Sequence, residues 1–388
     1  MNERVNRVYV WFGLVLVCGL LVITGMDIWN SVFTNDLHQA KNTPPDFNML
    51  VIGWDGVQRD HLWECYNKEL SACPEGLPNL KQFFDGKIFD LTVTSGRTET
   101  KPGWSQILSG YNAKTTGIES NTQYQPLPEG YSVFEKLEDY FGADNIATIF
   151  LAGKGDHIGG VCAGEIDSVS GYETLGQPYC ITKTSVDYFK TGLGSNQNVG
   201  EEMLSALDAF GTQPFFAFVE FAHPDNAGHS AGENSTKYTQ GIVDDDVWLG
   251  QIEDKLQVLG IADKTIVYVV TDHGFGEDLT NHLNAPYGFF ATSDSDVMRS
   301  GDRMDMGATI LYRYGLRGTE NGAPALNGYP LQENDPRRCI PEGEAYLDYV
   351  DAPRCCSGLT PSIMSIGGGS KAIIFPTGGI GDSSGICE

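Results

Sequence analysis

At 388 residues, 41% hydrophobic and 20% charged, the chain has the composition of a globular protein and length for one large α/β domain or two smaller ones. Its 51 acidic residues against 25 basic ones give a formal charge of −26, which argues against nucleic acid or anionic lipid as the main partner, because both are met by positive charge. An anionic substrate would need local positive charge, such as metal, to draw it in.

The chain opens with MNERVNR and continues as VYVWFGLVLVCGLLVITGM, residues 8 to 26, uncharged until Asp27. That run exceeds the roughly 7–15 residues of a signal-peptide core and is about long enough to span a bilayer. Arg4 and Arg7 precede it, so the positive-inside rule leaves residues 1–7 cytosolic and sends the remainder outside. No A-x-A site follows. The segment reads as an uncleaved signal anchor, a transmembrane helix of a single-pass type II membrane protein; a cleaved signal peptide and a secreted protein is the alternative. Either way the main domain is expected to be extracellular or lumenal. Residues 27–47, polar and closing on Pro44-Pro45, read as a stalk. Beyond Cys18, the even set Cys65, Cys73, Cys162, Cys180, Cys339, Cys355, Cys356 and Cys387 is expected to form disulfides, with the pairing open. Asn234-Ser235-Thr236 is a glycosylation sequon.

From residue 48, apolar runs alternate with helical patterns. NMLVIGWD reads as a buried strand, LPNLKQFFDG as a helix, IFDLTVTSG as a strand and KPGWSQILSG as a helix with Pro in its first turn. SVFEKLEDYFG and VGEEMLSALDAFG are helical, with the strand NIATIFLAG between them. The strand PFFAFVEFAH, the helix DDDVWLGQIEDKLQVLG and the strand KTIVYVVTDHG come next. This alternation predicts an α/β fold, a mostly parallel doubly wound sheet with helices on both faces, spanning 48–314. From 315 to 388, Gly, Pro and Cys dominate and periodicity fades, so this part reads as a Gly/Cys-rich appendage.

Ligands in such sheets bind at the carboxyl ends of the strands, and that is where acidic and histidine residues gather. Asp55 ends the first strand. Asp225 follows FVEFAHP, with His229 four residues on. Asp272 and His273 end IVYVVT, and His282 follows in TNHLN. Each alone could be a turn residue, a cap or a surface histidine; their order behind three distant strands makes them a ligand set. Mixed Asp/His donors suit Zn2+ or Mn2+ better than Ca2+ or Mg2+. His38, His61, His157 and His223 read as surface or satisfied side chains. Ala152-Gly153-Lys154-Gly155-Asp156 lacks the GxxxxGK[ST] spacing and reads as a strand-end turn. RTETKPGW, residues 97–104, follows a strand and reaches the same edge. Thr100 is expected at the N-cap of the next helix, where backbone N–H groups face an anion; it is either a cap or a nucleophile.

The set VIGWDG, TETKPGWSQILSGYNAKTTGI, PDNAGH, TDHG and NHLNAPYGFF resembles the alkaline phosphatase superfamily, nearest its type I phosphodiesterase/nucleotide pyrophosphatase and sulfatase-like branches, over residues 48 to 293. The resemblance implies a hydrolase of small phosphoric esters with two divalent ions. Asp55, Thr100, Asp272 and His273 would hold one ion and Asp225, His229 and His282 the other, with Thr100 as nucleophile. It also implies an Asn three residues after the nucleophile, to hold a phosphoryl oxygen, and here Gly103 stands there. Lys101, Trp104 or a backbone N–H are then the candidates for substrate binding. Formylglycine sulfatases need C-x-P-x-R, or Ser for Cys, whereas Thr100-Lys101-Pro102-Gly103-Trp104 has neither the convertible residue nor the Arg. The alternatives are a sulfatase-like hydrolase or phosphotransferase of the same superfamily, and an inactive cell-surface binding module. Residues 120–200, with TQYQPLPEGY and the Cys162 to Cys180 stretch, are the expected lid.

Overall fold

The computed structural model describes residues 42–166 and 176–335, and beyond them the backbone of three short strands. A compact unit runs from Pro44 to Glu388; of the preceding unit, Met1–Thr43, only residues 42 and 43 are described. The expected anchor at 8–26 lies outside the described residues, among which no helix is long and apolar enough to cross a membrane.

In chain order the elements are β1 (Asn48–Trp54), α1 (Arg59–Tyr66), α2 (Pro78–Phe84), β2 (Ile88–Thr92), α3 (Thr100–Ile107), α4 (Ala113–Thr116) and α5 (Val133–Phe141). Then come β3 (Ala147–Ala152), β4 (Tyr188–Lys190), α6 (Asn196–Phe210), β5 (Phe215–Phe221), α7 (His223–Ala231) and α8 (Thr236–Val258). β6 (Thr265–Val270), β7 (Tyr287–Thr292), β8 (Gly301–Asp302) and α9 (Arg303–Arg313) complete the layer structure. The eight strands form one sheet in the order β4-β3-β5-β1-β6-β7-β2-β8. Only β7 pairs antiparallel with its neighbours, β6 and β2; the other pairings are parallel.

β1 sits at the centre with all seven residues buried. Its side chains alternate between two cores. Leu50, Ile52 and Trp54 pack with Met203 and Leu207 of α6 and Leu249 and Ile252 of α8. Met49 and Val51 face Trp104 and Ile107 of α3, Leu137 of α5 and Ile310 of α9. A strand covered on both faces must be apolar throughout, which is why NMLVIGW shows no period of two. Each large side chain so buried contributes about 1.5–3 kcal/mol. The mostly parallel sheet with helices on both faces matches the sequence expectation.

Several details differ from it. PDNAGH is helical, on α7, because Pro224 fits the first turn, where its missing N–H costs nothing. α8 begins ahead of the DDDVWLG run because the Ser235 hydroxyl caps it, accepting from the N–H of Tyr238 at 3.1 Å. The core also continues past residue 314, since Leu316 and Leu331 are buried in it. Beyond that, Ala345–Asp348 (β9), Pro361–Ile363 (β10) and Ser383–Cys387 (β11) form an antiparallel sheet in the order β10-β11-β9, where the fading periodicity gave no strand. Cys65 pairs with Cys73 and Cys162 with Cys180.

Glu253 on α8 is buried. Burial, and then the charge of Asp254, pushes its carboxyl up to about 7. A folded-state value above the ordinary 4.5 means that the stability it contributes is present below that value and is lost as pH rises through about 7. Glu253→Gln should therefore match the wild type near pH 4 and exceed it by about 3 kcal/mol near pH 8. Urea unfolding at the two pH values reads this; an equal gain at both would exclude titration as the cause.

Candidate active site

All seven expected ligand residues reach the same edge of the sheet. Asp55 follows β1, Thr100 opens α3, Asp225 and His229 lie one turn apart on α7, Asp272 and His273 follow β6, and His282 lies between β6 and β7. Donor atoms of Asp55, Asp272 and His273 lie within 4.8 Å of one another, and so do those of Asp225, His273 and His282. His273 is thus common to two groups: its Nε2 is 3.4 Å from Asp272 Oδ2, 3.7 Å from Asp55 Oδ1 and 4.0 Å from Asp225 Oδ1. His229 Nε2 lies 3.4 Å from Asp225 Oδ1 and 3.1 Å from His282 Nε2.

The shell around these residues orients them. The Gly274 carbonyl accepts from His273 Nδ1 at 2.8 Å, and the Thr280 carbonyl from His229 Nδ1 at 3.0 Å, which leaves each Nε2 with a lone pair for the site. Asp272 Oδ1 accepts from the Gly56 N–H at 3.1 Å. The fully buried Arg303 of α9 donates to the carbonyls of Asp272 at 3.1 Å, Ser95 at 2.6 Å and Arg97 at 3.2 Å. It ties the end of β6 to the loop that carries Thr100. The Thr98 hydroxyl donates to the His282 carbonyl and joins the same loop to a third segment.

Three carboxylates, Asp55, Asp225 and Asp272, are buried together. Burial, with the neighbouring acids, raises Asp55 and holds Asp272 well above the ordinary carboxylate range. At Asp225 burial pushes the same way, but the positive charge of Lys154, helped by the nearby imidazoles, outweighs it and the net shift is downward. Burial lowers His273 to about 3 and His282 to about 4, so both are neutral imidazoles at pH 7, the form that ligates metal. Asp225 Oδ1, Asp272 Oδ2, His273 Nε2 and His282 Nδ1 are buried without a hydrogen-bond partner. Orphaned oxygen and nitrogen acceptors, converging from several segments, fit divalent cations that accept both donor types.

Beside them opens a cavity of about 280 Å³, lined by Thr100, Asn121, Lys154, His157, Asp225 and His282 among others. Thr100 is not an N-cap as expected. The chain is still extended at Glu99, which takes the cap position without a side-chain bond, and Thr100 is the first helical residue. Its hydroxyl oxygen accepts from Lys154 Nζ at 3.0 Å. Lys101 and Trp104 do not line the cavity. The Trp104 indole N–H donates to Asp55 Oδ2 at 3.2 Å, while the Lys101 ammonium donates to the Gln123 carbonyl at 3.1 Å and stands 3.4 Å over the Tyr124 ring. Nor is the Lys101 N–H open to an anion, since Asn121 Oδ1 accepts from it at 2.8 Å.

Position 103 cannot supply the donor sought there, because a Cβ on Gly103 would lie 2.7 Å from the Cβ of Asp272. Asn121 stands at the cavity instead. With its Oδ1 engaged by the Lys101 N–H, its NH2 group is the part of this side chain left to donate. His157, read as a bystander, also lines the cavity, and burial lowers it to about 3. His61 does have satisfied partners: its Nδ1 lies 2.7 Å from Glu233 Oε1 and its Nε2 2.9 Å from Thr239 Oγ1.

Solved structures with the same architecture show the class of fold. A Bacteroides thetaiotaomicron structure from a glycosaminoglycan-metabolism locus (BT33494S-sulf) aligns with a TM-score of 0.53 at 13% identity, covering 78% of this chain and 80% of that one. BT1596, a 2-O GAG sulfatase, aligns with a TM-score of 0.51 at 12% identity over 82% of this chain and 80% of its own. The fold is therefore the α/β fold that these structures share. Within that class, the model of the type I phosphodiesterase/nucleotide pyrophosphatase family matches residues 49–323, and the chain belongs to this family. Among curated relatives, a mouse bis(5'-adenosyl)-triphosphatase, enpp4, is 22% identical over 238 residues, 61% of this chain and 48% of the relative. Its human counterpart is 24% identical over 245 residues, again 61% and 48%. The chain spans about half the length of the curated relatives it matches.

Proposed function

We propose that this protein is a metal-dependent hydrolase of small phosphoric esters or anhydrides, with Thr100 as the nucleophile and two divalent ions, Zn2+ or Mn2+, in the site. The observation that carries the reading is a pair of Asp/His groups that share His273, with Asp225 and His282 of one group lining the same cavity as Thr100. Asp55, Asp272, His273 and Thr100 would hold one ion and Asp225, His229 and His282 the other. When bound, such ions lower the pKa of the nearby hydroxyl and neutralise charge on the phosphoryl oxygens.

The chain's own residues account for the remainder. The Thr100 hydroxyl gives its proton to solvent, and its oxygen forms a bond to phosphorus as the leaving oxygen departs with the bonding pair. Water then cleaves the resulting phosphothreonine and the threonine is regenerated. The Asn121 NH2 group donates to a non-bridging oxygen. His273 and His282, neutral at pH 7, keep lone pairs available rather than protons. A sulfatase mechanism by way of formylglycine has no support here, because Thr100 cannot be converted and no Arg stands at position 104. The uncharged segment 8–26 supports attachment to a membrane as a type II anchor; recovery of the full chain in a carbonate-washed membrane pellet tests it, and release into the supernatant counts against it.

Metal content and turnover, measured on one sample, test the hydrolase reading. Elemental analysis should find about two Zn or Mn per chain. Hydrolysis of p-nitrophenyl phosphate, bis-p-nitrophenyl phosphate or diadenosine triphosphate should fall at least about 100-fold on chelation and return with the metal. The preferred substrate chooses between monoester, diester and anhydride. A folded protein with no bound metal and no turnover would be a binding module instead.

A further inference from the structure

Lys154 carries no role in the sequence reading, which takes its segment for a turn, yet its ammonium is the charged group at the centre of the site. Nζ lies 2.7 Å from Asp225 Oδ2, 2.9 Å from Asp55 Oδ1 and 3.0 Å from Thr100 Oγ1. It therefore touches one carboxylate from each ligand group and the hydroxyl between them. Its side chain is 12% exposed, and the cavity it lines is the route by which a phosphoryl group would arrive.

This position is built by the fold. β3 pairs with β5 so that Ala152 stands opposite Glu220, a fully buried acid in the otherwise apolar run FFAFVEF. Glu220 Oε2 accepts from the N–H groups of Gly153 at 2.8 Å and Lys154 at 3.1 Å, and the Glu220 carbonyl accepts from Gly153 at 3.0 Å. A carboxyl group buried near the end of a strand covered on both faces is costly unless its oxygens are hydrogen-bonded, so it needs a compensating role. Here that role is to hold the start of the loop so that the Lys154 side chain projects onto Thr100.

We infer that Lys154 is a catalytic residue of this site: its ammonium donates to Thr100 Oγ1, and continues to do so as that oxygen becomes the bridging oxygen of a phosphothreonine. The inference rests on the reading of Thr100 as nucleophile. Lys154 gives up no proton in the step. The O–P bond forms at Thr100, the bond to the leaving oxygen breaks with its electron pair on that oxygen, and the ammonium offsets charge accumulating on the transferred group. A fixed positive donor at that place acts only on the anion, in addition to whatever cations the Asp and His residues hold.

Lys154→Met and Lys154→Arg, made in the full chain and loaded with metal, test this. Lys154→Met should keep the wild-type metal content and lower kcat about 100-fold, with KM moving less. It should also bind inorganic phosphate at least about tenfold more weakly, read by calorimetry. Unchanged phosphate affinity would overturn the inference. So would a Met variant that takes up more metal than the wild type and turns over as fast, since the ammonium would then only fill an ion's place. If the Met variant does not fold, Lys154→Arg decides: it keeps the charge but moves the donor, so kcat should fall about tenfold or more while phosphate binding persists, and wild-type kcat would overturn the inference. Absence of turnover in the wild type would sink the hydrolase reading and the catalytic role together; equal phosphate affinity in wild type and Met variant sinks the inference alone.

Discussion

Thr100→Ala should abolish turnover, by at least about 1000-fold, while the protein keeps its metal and its fold. The hydroxyl is not an N-cap, and its one described partner is the Lys154 ammonium. Removing it costs the helix little and leaves the Asp and His groups intact. Thr100→Ser keeps an oxygen at the same place and should retain activity within about tenfold. Mass spectrometry adds a direct reading, because wild-type protein quenched in acid during turnover should carry one phosphoryl group on the peptide containing Thr100. An alanine variant with more than about a tenth of wild-type activity would remove Thr100 from the mechanism.

Gly103→Asn carries the second large effect and runs against the simplest expectation, that an Asn there would improve the site. The Cβ it adds would lie 2.7 Å from Asp272 Cβ and 3.0 Å from both its carbonyl oxygen and Oδ2. Asp272 has no slack to give way. Arg303 holds its carbonyl and the Gly56 N–H holds its carboxylate. Either α3 or the end of β6 must move, at a cost of about 1–3 kcal/mol. Elemental analysis should show the loss of about one metal per chain, and urea unfolding a lowered midpoint. Gly103→Ala should show the same in smaller measure. Full metal content in both would mean that the helix and the strand end separate freely.

The architecture and the edge at which the Asp and His residues gather were legible because they rest on runs of residues. NMLVIGW, PFFAFVEF and IVYVV can be buried only as strands covered on both faces, and the residues just past the end of each run must then lie at one edge. α7 was harder to read, since Asp225, Asn226 and Gly228 favour turns. The helix forms because it packs against α8, where Gly241 admits the Pro224 backbone to 3.1 Å of where a Cβ would be. Asn121 and Lys154 gave no local signal at all. Asn121 is brought beside Thr100 by the Glu99 carboxylate, which accepts from its N–H, and by its own bond to Lys101. Lys154 depends on a pairing between β3 and β5, distant in sequence. One clue was available: a glutamate inside an apolar strand, Glu220, asks for a partner, and the only way to meet it is across the sheet.

The central place of β1 also bears on how the chain is made. It is the first strand of the sheet to leave the ribosome, yet Met49 pairs with Phe216 on one side and with Ile266 on the other. At typical synthesis rates, on the order of ten seconds separate β1 from the first of these partners. During that interval NMLVIGW has two open hydrogen-bonding edges and two uncovered faces, the profile of an aggregation-prone segment. Folding of the sheet cannot proceed strand by strand behind synthesis, and NMLVIGW stays unpaired until β5 emerges. Recombinant yield should then respond more to slower synthesis and added holdase than to any change at the surface.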